Sequence, residues 1–357
     1  MESLKLLLIF IISAYAVEEI EKNYCWSYQC KTNTTTFNSS TCIYPNTLYS
    51  TYVLNACTSS STPYCPPIYG TYQNSSCTTI PDTTAVTNLY PGETCSANSM
   101  CASNNCTKAH CVGVSLNGTC TKHDYCGPGL RCASGTCKAL LNINEVGCTT
   151  DYDCVPKAGC NITSTGGVCV EYFSLPLSSV ISNCTKTKQG GYSNLCKSGV
   201  CLYTSLFSTK GTCSNAPTSV ATTPQQCTSD SQCMGKTETN TYFTSCQCGM
   251  NPSGLSYCQP FYGDSPYLNY ISSYRTFMWS EALDKCNTVR RFDDNCWKMT
   301  VGQNYTNLYV SKYQIENYPQ LQNNDACTKT IYFSNYYSKT YSGAASLIIS
   351  LYLLMLS

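Results

Sequence analysis

Residues 120–137 read Cys120-Thr-Lys-His-Asp-Tyr-Cys126-Gly-Pro-Gly-Leu-Arg-Cys132-Ala-Ser-Gly-Thr-Cys137. Four cysteines with turn formers between them leave room for neither an amphipathic helix nor a long strand. The figure recurs in three further units: Cys95, Cys101, Cys106 and Cys111; Cys148, Cys154, Cys160 and Cys169; and Cys227, Cys233, Cys246 and Cys258. In all four the first two cysteines are separated by five residues. Another unit, Cys184, Cys196, Cys201 and Cys213, keeps the count but lengthens that gap to eleven. Self-similarity at a period of roughly 25–40 residues marks a tandem array of small modules.

Composition says what orders such modules. The 357 residues include 30 Cys and 30 Tyr, which inflate a hydrophobic fraction of 42%. Without them, about a quarter of the chain is ordinarily apolar, too little for one large aliphatic core. Cross-links must substitute, and closing a loop of about 15 residues contributes roughly 3 kcal/mol. The cysteine count is even, which suits complete pairing in an oxidising compartment. Spacing does not fix which cysteines pair within a unit. Net charge is +1 with 11% charged residues, so composition gives no sign of nucleic acid or an anionic membrane surface as partner.

Both ends carry processing signals. Lys5 precedes the apolar run of residues 6–12, and Ala14-Tyr15-Ala16 offers small residues at a cleavage site. Residues 1–16 are read as a signal peptide. The last residues, Tyr341-Ser-Gly-Ala-Ala-Ser followed by an apolar run to Ser357, have no basic flank and are too short to span a bilayer. They read as a GPI-attachment signal, residues 342–357, with the lipid on Ser342 and with Ser338 or Asn335 as other acceptors.

Between the ends, residues 17–91 hold six cysteines without the five-residue figure and read as an amino-terminal module with a Thr/Pro-rich connector. Residues 92–258 are the five units. In the array Asp124, Asp151, Asp153 and Asp230 stand just ahead of second cysteines, where a short carboxylate can cap the amides of a turn. Residues 259–341 change character: Leu268, Ile271, Met278, Ala282 and Cys286 fall on one helical face, and a second helix is expected from about Asn304 to Tyr318, stopped by Pro319. Cysteine arithmetic pairs Cys248, the extra thiol of the fifth unit, with this region, which holds Cys286, Cys296 and Cys327. The expected fold is therefore small disulfide-rich modules in tandem, short β-hairpins and irregular loops, with a short α-helical carboxy-terminal cap.

The residues give no catalytic or cofactor constellation. A Cys–His pair needs a free thiolate, and His110 and His123 lie in separate units among cysteines expected to be bonded. Zinc favours Cys-x2-Cys pairs; the nearest approach, Cys246-x-Cys248, is expected to bond to two different partners. Calcium needs six or more oxygens, and the aspartates are spread too thinly. Sequons begin at Asn33, Asn38, Asn74, Asn117, Asn161 and Asn304, the expected glycan sites; those at Asn105 and Asn183 have cysteine at the middle position. The tyrosines are expected either to cover disulfides with their hydroxyls in water or to form exposed contact surfaces for another protein or for sugars.

Cys-x2-Asp-x-Asp-Cys at 148–154 and Cys-x5-Cys-Gly-x-Gly-x2-Cys-x4-Cys at 120–137 resemble the Dickkopf amino-terminal cysteine-rich domain. The whole layout is similar to the GPI-anchored, cysteine-rich surface proteins of ciliate protists, in which such units occur in tandem. That resemblance implies a non-enzymatic protein on the extracellular face of the plasma membrane, the ciliary surface included. It would be reached by the secretory pathway, and its partners would be other surface proteins or glycans. The Dickkopf likeness implies an alternative, a secreted signalling ligand or antagonist of Wnt type, but the second cysteine-rich domain that carries receptor binding in that family has no match here.

Overall fold

The computed structural model describes residues 25–31, 40–66, 73–79, 87–187, 189–203, 209–293 and 303–334. They form tandem disulfide-rich modules of short strands followed by a helical carboxy-terminal region, as the sequence implies. Fourteen disulfides join these residues, and no described cysteine is free.

All five units pair their cysteines first to third and second to fourth. The second unit shows the rule, with Cys120–Cys132 and Cys126–Cys137. The others repeat it as Cys95–Cys106 and Cys101–Cys111, Cys148–Cys160 and Cys154–Cys169, Cys184–Cys201 and Cys196–Cys213, and Cys227–Cys246 and Cys233–Cys258. The third and fourth cysteines face each other across an antiparallel pair: Cys106 opposite Cys111, Cys132 opposite Cys137, Cys160 opposite Cys169, Cys201 opposite Cys213 and Cys246 opposite Cys258. Side chains directly opposite sit close enough for two parallel cross-links to leave from one ladder position. The long first gap of the fourth unit is an inserted hairpin, with Thr185–Thr187 paired to Gly190–Tyr192.

Each of the first four units also has a leader that the cysteine figure does not show. Leu89, Val114, Leu141 and Leu175 each bridge in parallel to the second cysteine of their unit. Three residues later the chain turns through Gly92, Asn117, Asn144 or Ser178, all at positive φ. The amide of that residue donates to the carbonyl of the fourth cysteine at 2.8 Å in every case. Gly, Asn and Ser suit the position because larger or β-branched side chains are strained in the left-handed region. At Gly92 there is a second reason: a Cβ would lie 2.0 Å from the Lys285 carbonyl.

The short 3-10 turns between first and second cysteines are closed by side chains. Asn98, Asp151 and Asp230 each accept the amide of the third cysteine, at 2.8, 2.7 and 2.8 Å. Asp153 Oδ2 accepts the amides of Thr149 and Thr150 at 2.8 and 3.1 Å, so of the four aspartates Asp153 caps its turn's amides, while Asp151 and Asp230 tie the turn to the strand of the third cysteine. In the second unit the acceptor is His123 rather than Asp124: His123 Nδ1 takes the Cys132 amide at 3.2 Å.

The helical carboxy-terminal region packs along the array. Helix α1 (Ser265–Met278) starts beside the fifth unit, where Asp264 accepts the amide and hydroxyl of Ser219 at 2.9 and 2.6 Å. It ends at Met278, shorter than the expected face: Ala282 lies in a separate 3-10 turn, Glu281–Lys285, capped by Ser280 Oγ, and Leu268 points to solvent. The buried side of α1 is Tyr274, Phe277 and Met278. It packs on Tyr172 and Phe173 of the third unit, on Ile181 and Leu195 of the fourth, and on Leu308 of helix α2 (Gln303–Glu316). Helix α2 matches expectation, but Tyr172 and Tyr274 do not sit with wet hydroxyls: they are 1% and 5% exposed, and burial pushes the Tyr172 hydroxyl far above its usual range. After α1 the chain lies against the first three units as a spine, touching unit two at Cys126, unit three at Tyr152 and Cys154 and unit one at Tyr90.

The amino-terminal module is a four-stranded sheet in the order β1 (Ser27–Cys30), β3 (Thr51–Leu54), β2 (Thr41–Asn46) and β4 (Ser75–Ser76), with β1 parallel to β3. Two disulfides, Cys42–Cys65 and Cys57–Cys77, are internal. The other two cysteines leave the module. Cys25 bonds Cys248, which overturns the expected pairing of Cys248 with residues 260–330, and Cys30 bonds Cys327. Tyr28, Ile43, Tyr52 and Leu54 then share a core with Met250 and Phe333. The first module thus docks on the last described helix, α3 (Ala326–Ile331), which lies against β1 and β3.

Candidate recognition surface

The sequence offered sites of three kinds, and the fold separates them. The sulfur clusters of the first, second, third and fifth units bring three Sγ atoms within 4.8 Å of one another, but all of these belong to disulfides. Cys246 and Cys248 bond to different partners, Cys227 and Cys25, as expected. His110 and His123 are not brought together: His110 Nδ1 lies 3.2 Å from the Gly92 carbonyl, and His123 serves its own unit. Asp151, Asp153 and Asp230 hold amides, and Asp153 also meets Arg131 Nη1 at 3.1 Å.

Of the sequons, Asn74, Asn117 and Asn304 are exposed, and Asn33 and Asn38 lie outside the described residues. Asn161 is placed differently from these. It is 7% exposed, its Nδ2 donates to the Val180 carbonyl at 3.0 Å, and its Oδ1 accepts the Ser182 amide at 3.0 Å. The amide nitrogen that would carry a glycan is committed to joining the third unit to the fourth. The proposed lipid acceptor Ser342, with Ser338 and Asn335, lies outside the described residues. No helix among the described residues is long and apolar enough to cross a membrane.

What sequence reasoning missed is a surface at the outer side of α1. A shallow trough of about 610 Å³ is lined by Glu171, Leu268, Ile271, Arg275 and Trp279. Glu171 Oε1 accepts from Arg275 Nη2 at 2.9 Å and from Trp279 Nε1 at 3.3 Å. Lys157 Nζ stands 3.9 Å from the centroid of the Trp279 ring, within cation–π range. Trp279 and Leu268 are nonetheless 52% and 51% exposed. The array supplies Glu171 and Lys157, and the helix supplies the rest, so the surface exists only once the spine has docked. The one available signal was tryptophan itself, present three times in the chain, at the point where the helical face breaks.

The arrangement pairs a large ring, fixed by one hydrogen bond and one cation, with a carboxylate and a guanidinium that keep free hydrogen-bonding edges. Such rigid amphipathic anchors are what contact surfaces use. No protein-family model, no curated protein and no solved structure matches the chain.

Proposed function

We propose that the protein is a non-enzymatic, GPI-anchored component of the extracellular cell surface that acts in adhesion or recognition. Other surface proteins or glycans would be contacted through the trough around Trp279. The observation that carries this reading is the cross-linking. Fourteen disulfides hold a chain with little aliphatic core, and no described cysteine is left free, which suits an oxidising compartment. The resemblance to ciliate cysteine-rich surface proteins points the same way and is part of the proposal.

The test is treatment of intact cells with phosphatidylinositol-specific phospholipase, followed by non-reducing peptide mapping of the released protein. Release, a carboxy-terminal residue near Ser342 and no alkylatable thiol are expected. Retention on the cells, or a substantial pool of free thiol, overturns the reading. Trp279→Ala should abolish attachment to the partner surface without lowering the melting temperature, because the ring is half exposed.

A further inference from the structure

The exit of the chain from helix α3 places its carboxy-terminal end beside one hairpin turn. Helix α3 begins next to Cys30, held there by Cys30–Cys327, and ends with the Tyr332 ring 6.3 Å from that of Tyr28. The five helical steps from Cys327 to Tyr332 rise about 7.5 Å, which matches two residues of strand. The helix therefore runs antiparallel to β1, from its Cys30 end toward Ser27. Ser27 pairs with Thr51, and its amide donates to the Ser50 carbonyl at 3.1 Å. That end of the sheet is where β2 turns into β3.

The turn, residues 47–50, carries Leu48 at 80% and Tyr49 at 72% exposure. Residues 40–66 contain no charged side chain at all. An apolar pair in an uncharged segment can approach a zwitterionic lipid interface without stripping water from an ion, and tyrosine favours that interface. Ser342 lies eight positions beyond Ser334, so the anchor is at most about 28 Å of extended chain from the last described residue.

We propose that the 47–50 turn is a second membrane contact, in which Leu48 and Tyr49 dip into the headgroup region beside the anchor. The inference rests on the reading of the protein as lipid-anchored. It also sets an orientation, with the amino-terminal sheet and α3 next to the bilayer and the five units projecting outward.

The intact protein in phosphatidylcholine vesicles doped with a photoactivatable phosphatidylcholine tests this, with adducts mapped by mass spectrometry. The expected result is adducts on the peptide holding Leu48 and Tyr49, none at the equally exposed Val146 of the third unit, and at least about a fivefold loss of turn adducts in the Leu48→Ser/Tyr49→Ser variant. A parallel aliquot is treated with phosphatidylinositol-specific phospholipase. Release together with an unlabelled turn overturns the contact and leaves the anchor standing. Turn adducts on protein that the lipase cannot release overturn the anchor and leave the contact standing. Turn peptides cross-linked to a second copy of the chain instead of lipid also overturn the contact.

Discussion

Asn287 and Arg291, four residues apart on the spine, hold the same carbonyl of successive repeats. Asn287 Nδ2 donates to Cys126 at 2.8 Å, and Arg291 Nη1 donates to Cys154 at 2.8 Å. Both acceptors are second cysteines, at the end of a 3-10 turn whose last carbonyls need partners. Arg291 adds bonds to the carbonyls of Val155 and Asp151, and Asn287 adds one to that of His123. The spine therefore holds the second and third repeats at the same point, the carbonyl of the second cysteine.

Removing the deeper of these two side chains should undock the spine. Arg291 is 1% exposed, and its fork serves three carbonyls of one turn. Arg291→Ala should cost about 3 kcal/mol, since charged hydrogen bonds are lost and buried acceptors are left alone. Arg291→Lys should recover little of that, because an ammonium cannot span the same carbonyls. Urea unfolding with the disulfides intact, comparing midpoints at equal slope, measures both variants.

Two buried carboxylates should respond to pH in opposite senses. Burial alone would raise Asp153, but hydrogen bonds from Thr149, Thr150 and Arg131 outweigh it and hold the group below its ordinary value of 3.8. Its folded value lies below the unfolded one, so its contribution is complete above 3.8 and is lost as pH falls through the folded value. Glu93 is raised above its ordinary 4.5, chiefly by burial, against the lowering effects of the Tyr90 amide and Arg290. Its contribution is complete below 4.5 and is lost as pH rises through the folded value. Asp153→Asn should therefore melt lower than the parent at pH 7, with the difference closing below pH 4. Glu93→Gln should melt at or above the parent at pH 7, and its advantage should shrink toward pH 4. Thermal melts across pH 3–7 separate the two.

Much of the module could be read from cysteine spacing, and the reasons for the rest lie in particular residues. The five-residue gap fixes a 3-10 turn, but its acceptor is Asn98, His123, Asp151 or Asp230, four residues related only by a lone pair at the right height. The leader residues Leu89, Val114, Leu141 and Leu175 were equally hard to see, because a single aliphatic side chain per unit makes no periodic pattern. The spine was illegible for a stronger reason. It binds backbone carbonyls, which every sequence presents, so nothing in the array advertises a partner. The α1 surface inherited that blindness, since Glu171 and Trp279 meet only after docking. Long-range pairing was misjudged because counting surplus thiols in neighbouring segments favours local closure, whereas Cys25 and Cys248 are separated by 223 residues.

The two long-range disulfides should act as alternative clasps. On loop length alone, a closure of 223 residues would be worth about 5 kcal/mol, but Cys30–Cys327 already closes a larger circuit around the same module. Cys25→Ser/Cys248→Ser should therefore lower stability by only about 1–2 kcal/mol and leave the first module docked through Tyr28, Met250 and Phe333. Removing both clasps should release residues 25–79 to proteolysis while residues 92–258 stay resistant. Limited digestion with mass-spectrometric mapping checks this, and equal resistance of the two regions in the four-serine variant would sink it.

Glycan occupancy should follow amide exposure rather than sequon count. Asn117 sits at the positive-φ turn of the second unit with an exposed side chain, and Asn74 and Asn304 are exposed as well. Asn161 differs because both of its side-chain polar atoms are spent on the 180–182 backbone. A sugar on Nδ2 would replace one donor hydrogen and force a bulky polar group into a position 7% exposed. The amide can be modified only before the third and fourth units close, and a chain so modified cannot pack Asn161 as observed. Secreted, folded protein should thus carry glycans at Asn74, Asn117 and Asn304 and none at Asn161, as read by deglycosylation in heavy-oxygen water. Asn161→Asp keeps the acceptor but loses the donor to Val180, and it should cost about 1–3 kcal/mol. Asn117→Asp removes a glycan and no buried hydrogen bond, so it should leave the melting temperature within a degree or two. Substantial occupancy at Asn161 in folded protein would mean that the third and fourth units are joined in some other way.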